Sequence, residues 1–100
     1  MDVQIKKGVL DACVLYALKD GESYGYKIIT DLKDVIEVSE STLYPILKRL
    51  ESSGALETYS KEFNGRLRRY YTLTDAGRKK LAEYRQDFEA IITIYKRIFR

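Results

Sequence analysis

Residues 39–73 read SESTLYPILKRLESSGALETYSKEFNGRLRRYYTL. Two periodicities meet in this stretch. Leu43, Ile46, Leu47 and Leu50 fall at i, i+3, i+4 and i+7, the spacing of one apolar helix stripe. Gly54 stands where such a helix terminates. Ser39 or Ser41 can cap its start, and Pro45 costs least near the beginning, with Ser41 as the cap. At about 100° per residue, Ser41, Pro45, Lys48 and Ser52 point away from the stripe, flanked by Thr42 and Arg49. The outward face is therefore hydroxyl-bearing, then basic. The period then changes to two. Asn64-Gly65 is a strong signal for a two-residue type I′ hairpin turn, which needs positive φ at both central residues. Folding about it pairs Phe63 with Arg66, Lys61 with Arg68, Tyr59 with Tyr70, Thr58 with Tyr71 and Leu56 with Leu73. Alternation puts Leu56, Thr58, Leu67, Tyr71 and Leu73 on one face, suited to a core. Tyr59, Lys61, Phe63, Arg66, Arg68 and Tyr70 form the other, a basic and aromatic ribbon. Arg69 takes the core-side register, where a carboxylate partner is expected.

Upstream, Val9 to Leu18 reads as a helix ending before Asp20-Gly21. Only Asp11 is polar in it, so it should be buried on more than one side. Cys13 in this run reads as a core residue rather than a redox sensor. Ser23 can cap a second helix carrying Ile28, Ile29 and Leu32, with Val35 or Ile36, on one face. Downstream, Thr74 caps a last helix that can run unbroken from Asp75 to Arg100, 26 residues or roughly 39 Å at 1.5 Å per residue. Leu81, Tyr84, Phe88, Ile91, Tyr95 and Ile98 alternate by three and four, a heptad seam that Ile92 and Phe99 widen. A helix this long overhangs a small domain, and its seam needs a partner. The economical partner is a second copy of the chain, joined through the first and last helices. Val9, Leu10 and Cys13 on the first helix, and Leu81, Tyr84, Phe88, Ile91, Ile92, Tyr95, Ile98 and Phe99 on the last, are its expected surface.

Composition narrows the chemistry. The chain has 100 residues, one cysteine and no histidine. One hundred residues make one domain. Without histidine, Ser-His-Asp and Cys-His catalysis are excluded, and no motif presents an acid–base pair, so no enzyme is expected. A lone Cys13 makes neither an internal disulfide nor a metal ligand set, and no cofactor is expected. The net charge is +3, from 18 basic and 15 acidic side chains. It is unevenly spread. Residues 1–47 carry five basic and eight acidic groups, while residues 48–100 carry 13 and seven. A basic second half suits a polyanion-facing surface. The longest nearly apolar run, Val9 to Leu18, is half of what a bilayer needs, and the N-terminus has no cleavable signal pattern. A cytoplasmic protein without membrane contact is the expectation.

Helix, helix, helix, hairpin is the order of a winged helix-turn-helix: mainly α, with a β-hairpin wing and a long C-terminal dimerisation helix. A helix with hydroxyl and basic groups fits the DNA major groove. A hairpin with Lys61, Arg66 and Arg68 can straddle the neighbouring phosphates or enter the minor groove. Residues 1–74 would form the DNA-binding unit, whose first helix also serves the dimer, and residues 75–100 the dimerisation helix.

Three strings carry a family resemblance: Ser23-Tyr24-Gly25-Tyr26; Thr42-Leu43-Tyr44-Pro45 leading through Leu47 and Leu50 to Gly54; and Tyr70-Tyr71-Thr72-Leu73-Thr74 leading to Gly77. Together they resemble the PadR family of bacterial transcriptional regulators, in its short form with a single C-terminal helix. The resemblance implies a dimeric repressor on a palindromic operator, with the N- and C-terminal helices forming the dimer. It implies recognition-helix roles for Ser41, Thr42, Tyr44 and Lys48, with Tyr44 touching phosphate; Arg49, flanking that face on the wheel, is expected to add a phosphate or base contact. It implies a wing built on Lys61, Asn64, Gly65, Arg66 and Arg68. Tyr24 and Tyr26 read as packing residues, and Gly25 as room for close helix approach. Some relatives bind aromatic or drug-like ligands in the dimer cavity, and Tyr16, Phe88, Ile92, Tyr95 and Phe99 could line such a space. Double-stranded DNA and a second copy are thus the expected partners. Two alternatives stand beside them: a small-aromatic-ligand sensor controlling DNA binding, and a protein-interaction winged helix that never touches DNA.

Overall fold

Asp2 opens the first helix: its side chain accepts the N–H of Gln4 at 2.9 Å. In the computed structural model, which describes residues 1–100, six elements follow in the order α1 (Val3–Ala17), α2 (Gly25–Asp31), α3 (Glu40–Ser52), β1 (Leu56–Phe63), β2 (Arg66–Leu73) and α4 (Asp75–Ile98). α1 begins six residues before Val9. The extra turns carry Gln4, Lys6 and Lys7, which break the apolar run without breaking the helix. Val3 and Ile5 stand exposed there.

Ser23 does not cap α2. Its backbone pairs with β2 instead, donating to the Tyr71 carbonyl at 3.0 Å and accepting from the Tyr71 N–H at 2.8 Å. Tyr24 takes the N-cap position without a side-chain bond. The chain is thereby stitched to the hairpin two residues before the helix starts. α3 is capped by Ser39, not Ser41. Pro45 is therefore its sixth helical residue, where the missing N–H leaves the Ser41 carbonyl without its i+4 donor. Buried Leu43, Ile46, Leu47 and Leu50 hold the helix across that gap.

The hairpin register is the one the turn dictates, from Phe63–Arg66 at the tip to Leu56–Leu73 at the base. Asn64 (φ 51°) and Gly65 (φ 78°) both sit in the left-handed region, as a type I′ turn requires. Two side chains depart from the face assignment. Leu67 lies on the core side but is 80 % exposed, because the tip reaches past the helices. Tyr70 lies on the ribbon side yet is buried, covered by Tyr59 and Tyr24.

Thr74 joins hairpin to α4. Its hydroxyl accepts the Gly77 N–H at 3.0 Å and donates to the Gly54 carbonyl at 2.6 Å. Gly77 lies directly against the Ala55 carbonyl. The core is a single cluster including Leu10, Val14, Leu15, Leu18, Ile28, Leu32, Leu43, Leu47, Leu50 and Tyr71. Leu81 and Tyr84 pack on its edge. α4 ends at Ile98, two residues short of the chain end, and every residue from Glu89 onward is exposed. The molecule measures 56 × 26 × 21 Å, with the bare end of α4 free of other elements.

Candidate nucleic-acid interface

Ser41 and Thr42 occupy the first turn of α3 and are exposed. The Ser39 hydroxyl gathers them. It accepts the Thr42 N–H at 3.3 Å, lies 3.1 Å from the Ser41 hydroxyl, and donates to the Thr42 Oγ1 at 3.1 Å. Ser39 thus belongs to the hydroxyl cluster as its organiser, a role the sequence shows only as a capping choice. Lys48 follows on the same outward side, exposed and outside every ion pair.

Tyr44 leans from α3 over the start of α2. A Cβ at Gly25 would lie 2.5 Å from its hydroxyl oxygen, so the glycine is what lets the ring approach. Tyr44 stays 47 % exposed and borders a groove of about 790 Å³ between α2, α3 and the hairpin tip. Tyr24, Tyr26, Phe63, Asn64, Arg66 and Arg68 line it as well. Tyr26, expected to pack, is 68 % exposed on this rim. Tyr59 and Tyr70 stack at 5.6 Å, with the Lys61 ammonium 4.7 Å above the Tyr70 ring. The Arg68 guanidinium lies 4.0 Å from the Tyr24 ring and 3.9 Å from the Phe63 ring. Arg66 is exposed at the tip. Arg69 also borders the groove, and its guanidinium lies 3.7 Å from the Glu51 carboxylate and 3.0 Å from the Thr58 hydroxyl.

Arg49, expected on the recognition face, is held by an ion pair across to α1. Its two terminal nitrogens each donate to one Asp11 oxygen at 2.8 Å. The Tyr84 hydroxyl donates to the same carboxylate at 3.3 Å. Asp11 is 3 % exposed. A buried carboxylate requires such a partner, and Arg49 is the cation that crosses it. The hydrogen bond to Asp11 holds the guanidinium pKa above its ordinary value. Burial, then the Asp11 charge, pushes the Tyr84 phenol up. Arg49 is thus a clasp between α3 and α1, with Tyr84 from α4 closing it.

The expected dimer surface divides in the same way. Leu10 is buried in the chain's own core, because α1 turns it inward beneath α3. Val9 and Cys13 are half-buried, and burial pushes the Cys13 thiol up. Ile91, Ile92, Tyr95, Ile98 and Phe99 are exposed, and Ile94, off the heptad seam, joins them. Of the expected effector residues, Tyr16, Phe88 and Ile92 line a groove of about 700 Å³ between α1 and α4, together with Ala12, Cys13 and Leu81. Tyr95 and Phe99 are not part of it. They lie about one and two turns past Ile92 along the chain. No group of three Cys, Asp or Glu side chains could hold a metal ion. No helix is long and apolar enough to cross a membrane.

The sequence model of the Transcriptional regulator PadR-like family matches residues 14–83. The chain belongs to that family. Its PadR-like fold is a winged helix-turn-helix with a long C-terminal helix, in a family of transcriptional regulators and not of enzymes. The transcriptional regulator Rv3488 of Mycobacterium tuberculosis is 38 % identical over 79 residues, covering 78 % of this chain and 74 % of the relative. A transcriptional regulator from Clostridium thermocellum superposes with a TM-score of 0.88 at 26 % identity, covering 100 % of this chain and 99 % of the other. The PadR protein of Bacillus subtilis, solved in complex with operator DNA, superposes with a TM-score of 0.70 at 30 % identity, over 76 % of this chain and 46 % of that one.

Proposed function

We propose that this PadR-like regulator is a repressor that binds a palindromic operator as a homodimer. The observation that carries the reading is the exposed set Ser41, Thr42 and Lys48 on α3, beside a groove that Tyr44 of α3 shares with Arg66 and Arg68 of the hairpin, with Lys61 exposed on the same strand face. Hydroxyls at the helix start are placed for base edges, and cations around them for phosphates. The operator complex of the Bacillus subtilis relative supports the same use here. Asn64 and Gly65 contribute the narrow tip that carries Arg66. Residues 1–74 form the DNA-binding unit, and residues 75–100 the dimerisation helix. Exposed Ile91, Ile92, Tyr95, Ile98 and Phe99 support that division, since apolar side chains in such density call for cover. Two-fold symmetry would set the recognition helices about 34 Å apart on successive major grooves.

Four cations per protomer stand on α3 and the hairpin: Lys48, Arg66 and Arg68, outside every ion pair, and Lys61, 3.6 Å from the Glu22 carboxylate, which DNA would have to displace. Eight in a dimer give a slope of log affinity against log salt of about −7. The test is binding to the DNA upstream of the chain's own gene, titrated with salt, beside a measured solution mass. A steep slope with a dimer mass is expected. Salt-independent binding, or none, overturns the reading in favour of a protein-interaction module.

The α1–α4 groove favours a second, compatible reading, in which a small aromatic molecule lodges near Tyr16, Phe88 and Ile92 and releases DNA. A planar aromatic compound that raises the melting temperature and weakens DNA binding would support it. One that does neither removes it.

A further inference from the structure

Arg68 is the most constrained cation of the wing. It is half-buried although it stands near the hairpin tip, and two aromatic rings hold it there. Phe63 comes from the facing strand, two pairs nearer the turn than the Lys61–Arg68 pair and on the same face. Tyr24 comes from the start of α2 and packs edge-on against Tyr70 at 5.7 Å. Tyr70 in turn stacks on Tyr59 and carries Lys61 on its other contact. The result is a ladder running from α2 into the tip: Tyr59, Tyr70, Tyr24, Arg68, Phe63. No carboxylate neutralises Arg68, and it takes part in none of the six ion pairs of the chain. Its contacts are with ring faces, which stabilise a guanidinium without consuming its N–H donors.

We infer that Phe63 and Tyr24 are positioning residues that pre-set Arg68 for a DNA phosphate and fix the wing to the helix-turn-helix. A free arginine loses much of its rotamer entropy on being ordered. Here much of that ordering precedes binding. The rings also anchor the tip to α2, so the distance between the wing cation and the α3 face is set by the fold. Phe63 touches no phosphate itself. Its charge is zero, and its effect passes through Arg68.

The inference rests on the DNA-binding reading, and one experiment separates the two. A labelled mixed-sequence duplex is titrated with wild type, Phe63→Leu, Phe63→Tyr and Arg68→Ala across a series of salt concentrations. Phe63→Leu removes a cation–π contact at a half-exposed site, so binding should weaken about two- to five-fold. Its salt slope should stay at the wild-type value, because no cation is lost. Arg68→Ala should weaken binding and lower the slope by about one per protomer. Phe63→Tyr should restore wild-type affinity. Phe63 is 47 % exposed at the tip, so the melting temperature should hold in both Phe63 variants. If Phe63→Leu binds as wild type does, the positioning role is wrong while the DNA reading stands. If wild type itself shows no salt-dependent binding, the DNA reading fails. If Phe63→Leu lowers the slope as much as Arg68→Ala, the rings merely prop the wing and the inference is overturned.

Discussion

Gly25 and Tyr44 show how one missing side-chain atom serves a surface. The Tyr44 ring can lie over the start of α2 only because Gly25 has no Cβ. In Gly25→Ala the added methyl would meet the end of a flexible side chain, not backbone, and Tyr44 is half-exposed and free to swing. The helix propensity of alanine, about 1 kcal/mol better than glycine, partly offsets the displacement. Stability should therefore change by less than about 1 kcal/mol, while DNA affinity falls because the tyrosine leaves the phosphate side of the groove. Chemical denaturation and DNA titration on the same variant check both halves. A large loss of stability would mean that Tyr44 cannot move. Unchanged affinity would remove Tyr44 from the interface. The sequence marks Tyr44 and Gly25 separately, as motif letters. Nothing in it shows that they touch, because their 19-residue separation is closed only when α2 packs on α3.

At the scale of elements, the local chemistry is legible and the crossings are not. Asn64-Gly65 fixes every pair of the hairpin, since a type I′ turn allows one register and a slip by one residue would reverse the faces. The leucine stripe of α3 is equally plain. Period-two alternation does not say how far the core extends along the strands, so Leu67 reads as core although the tip outruns it. A helical wheel likewise places Arg49 at the flank of the outward face without saying which helix crosses there. Asp11 crosses, 38 residues away, and takes the guanidinium with both oxygens. Removing one partner of such a pair strands the other. Arg49→Leu should cost about 2–4 kcal/mol, near the low end for a buried pair because the arginine side chain is 40 % exposed. Asp11→Leu with Arg49→Leu should recover most of that loss, since an apolar pair leaves no buried charge. A urea series with constant m-value measures both. An Arg49→Leu midpoint equal to wild type would make the clasp a surface contact of no consequence to the fold.

At the scale of the whole molecule, the question is what covers α4. The helix is legible from its heptad seam, and so is its excess length for a 100-residue fold. Its first half packs on α1 and the core through Leu81 and Tyr84, and from Glu89 onward every residue is exposed. Ile92 stands at the join. It is 51 % exposed and lines the α1–α4 groove, yet lies outside the core cluster. Ile92→Glu should therefore leave the protomer folded, with helical content and melting behaviour of the core intact. In the proposed dimer, the same carboxylate would be carried into an apolar interface without a partner, at a cost of several kcal/mol. At micromolar concentration the solution mass should fall from twice 11.7 kDa to 11.7 kDa. DNA binding should fall further than any single phosphate contact explains, because two half-sites are then no longer held by one molecule. Raising the protein concentration should recover part of the binding, as linked association demands. A wild-type chain that is monomeric at micromolar concentration would leave α4 without a second copy, and the apolar seam would then have to serve a different partner.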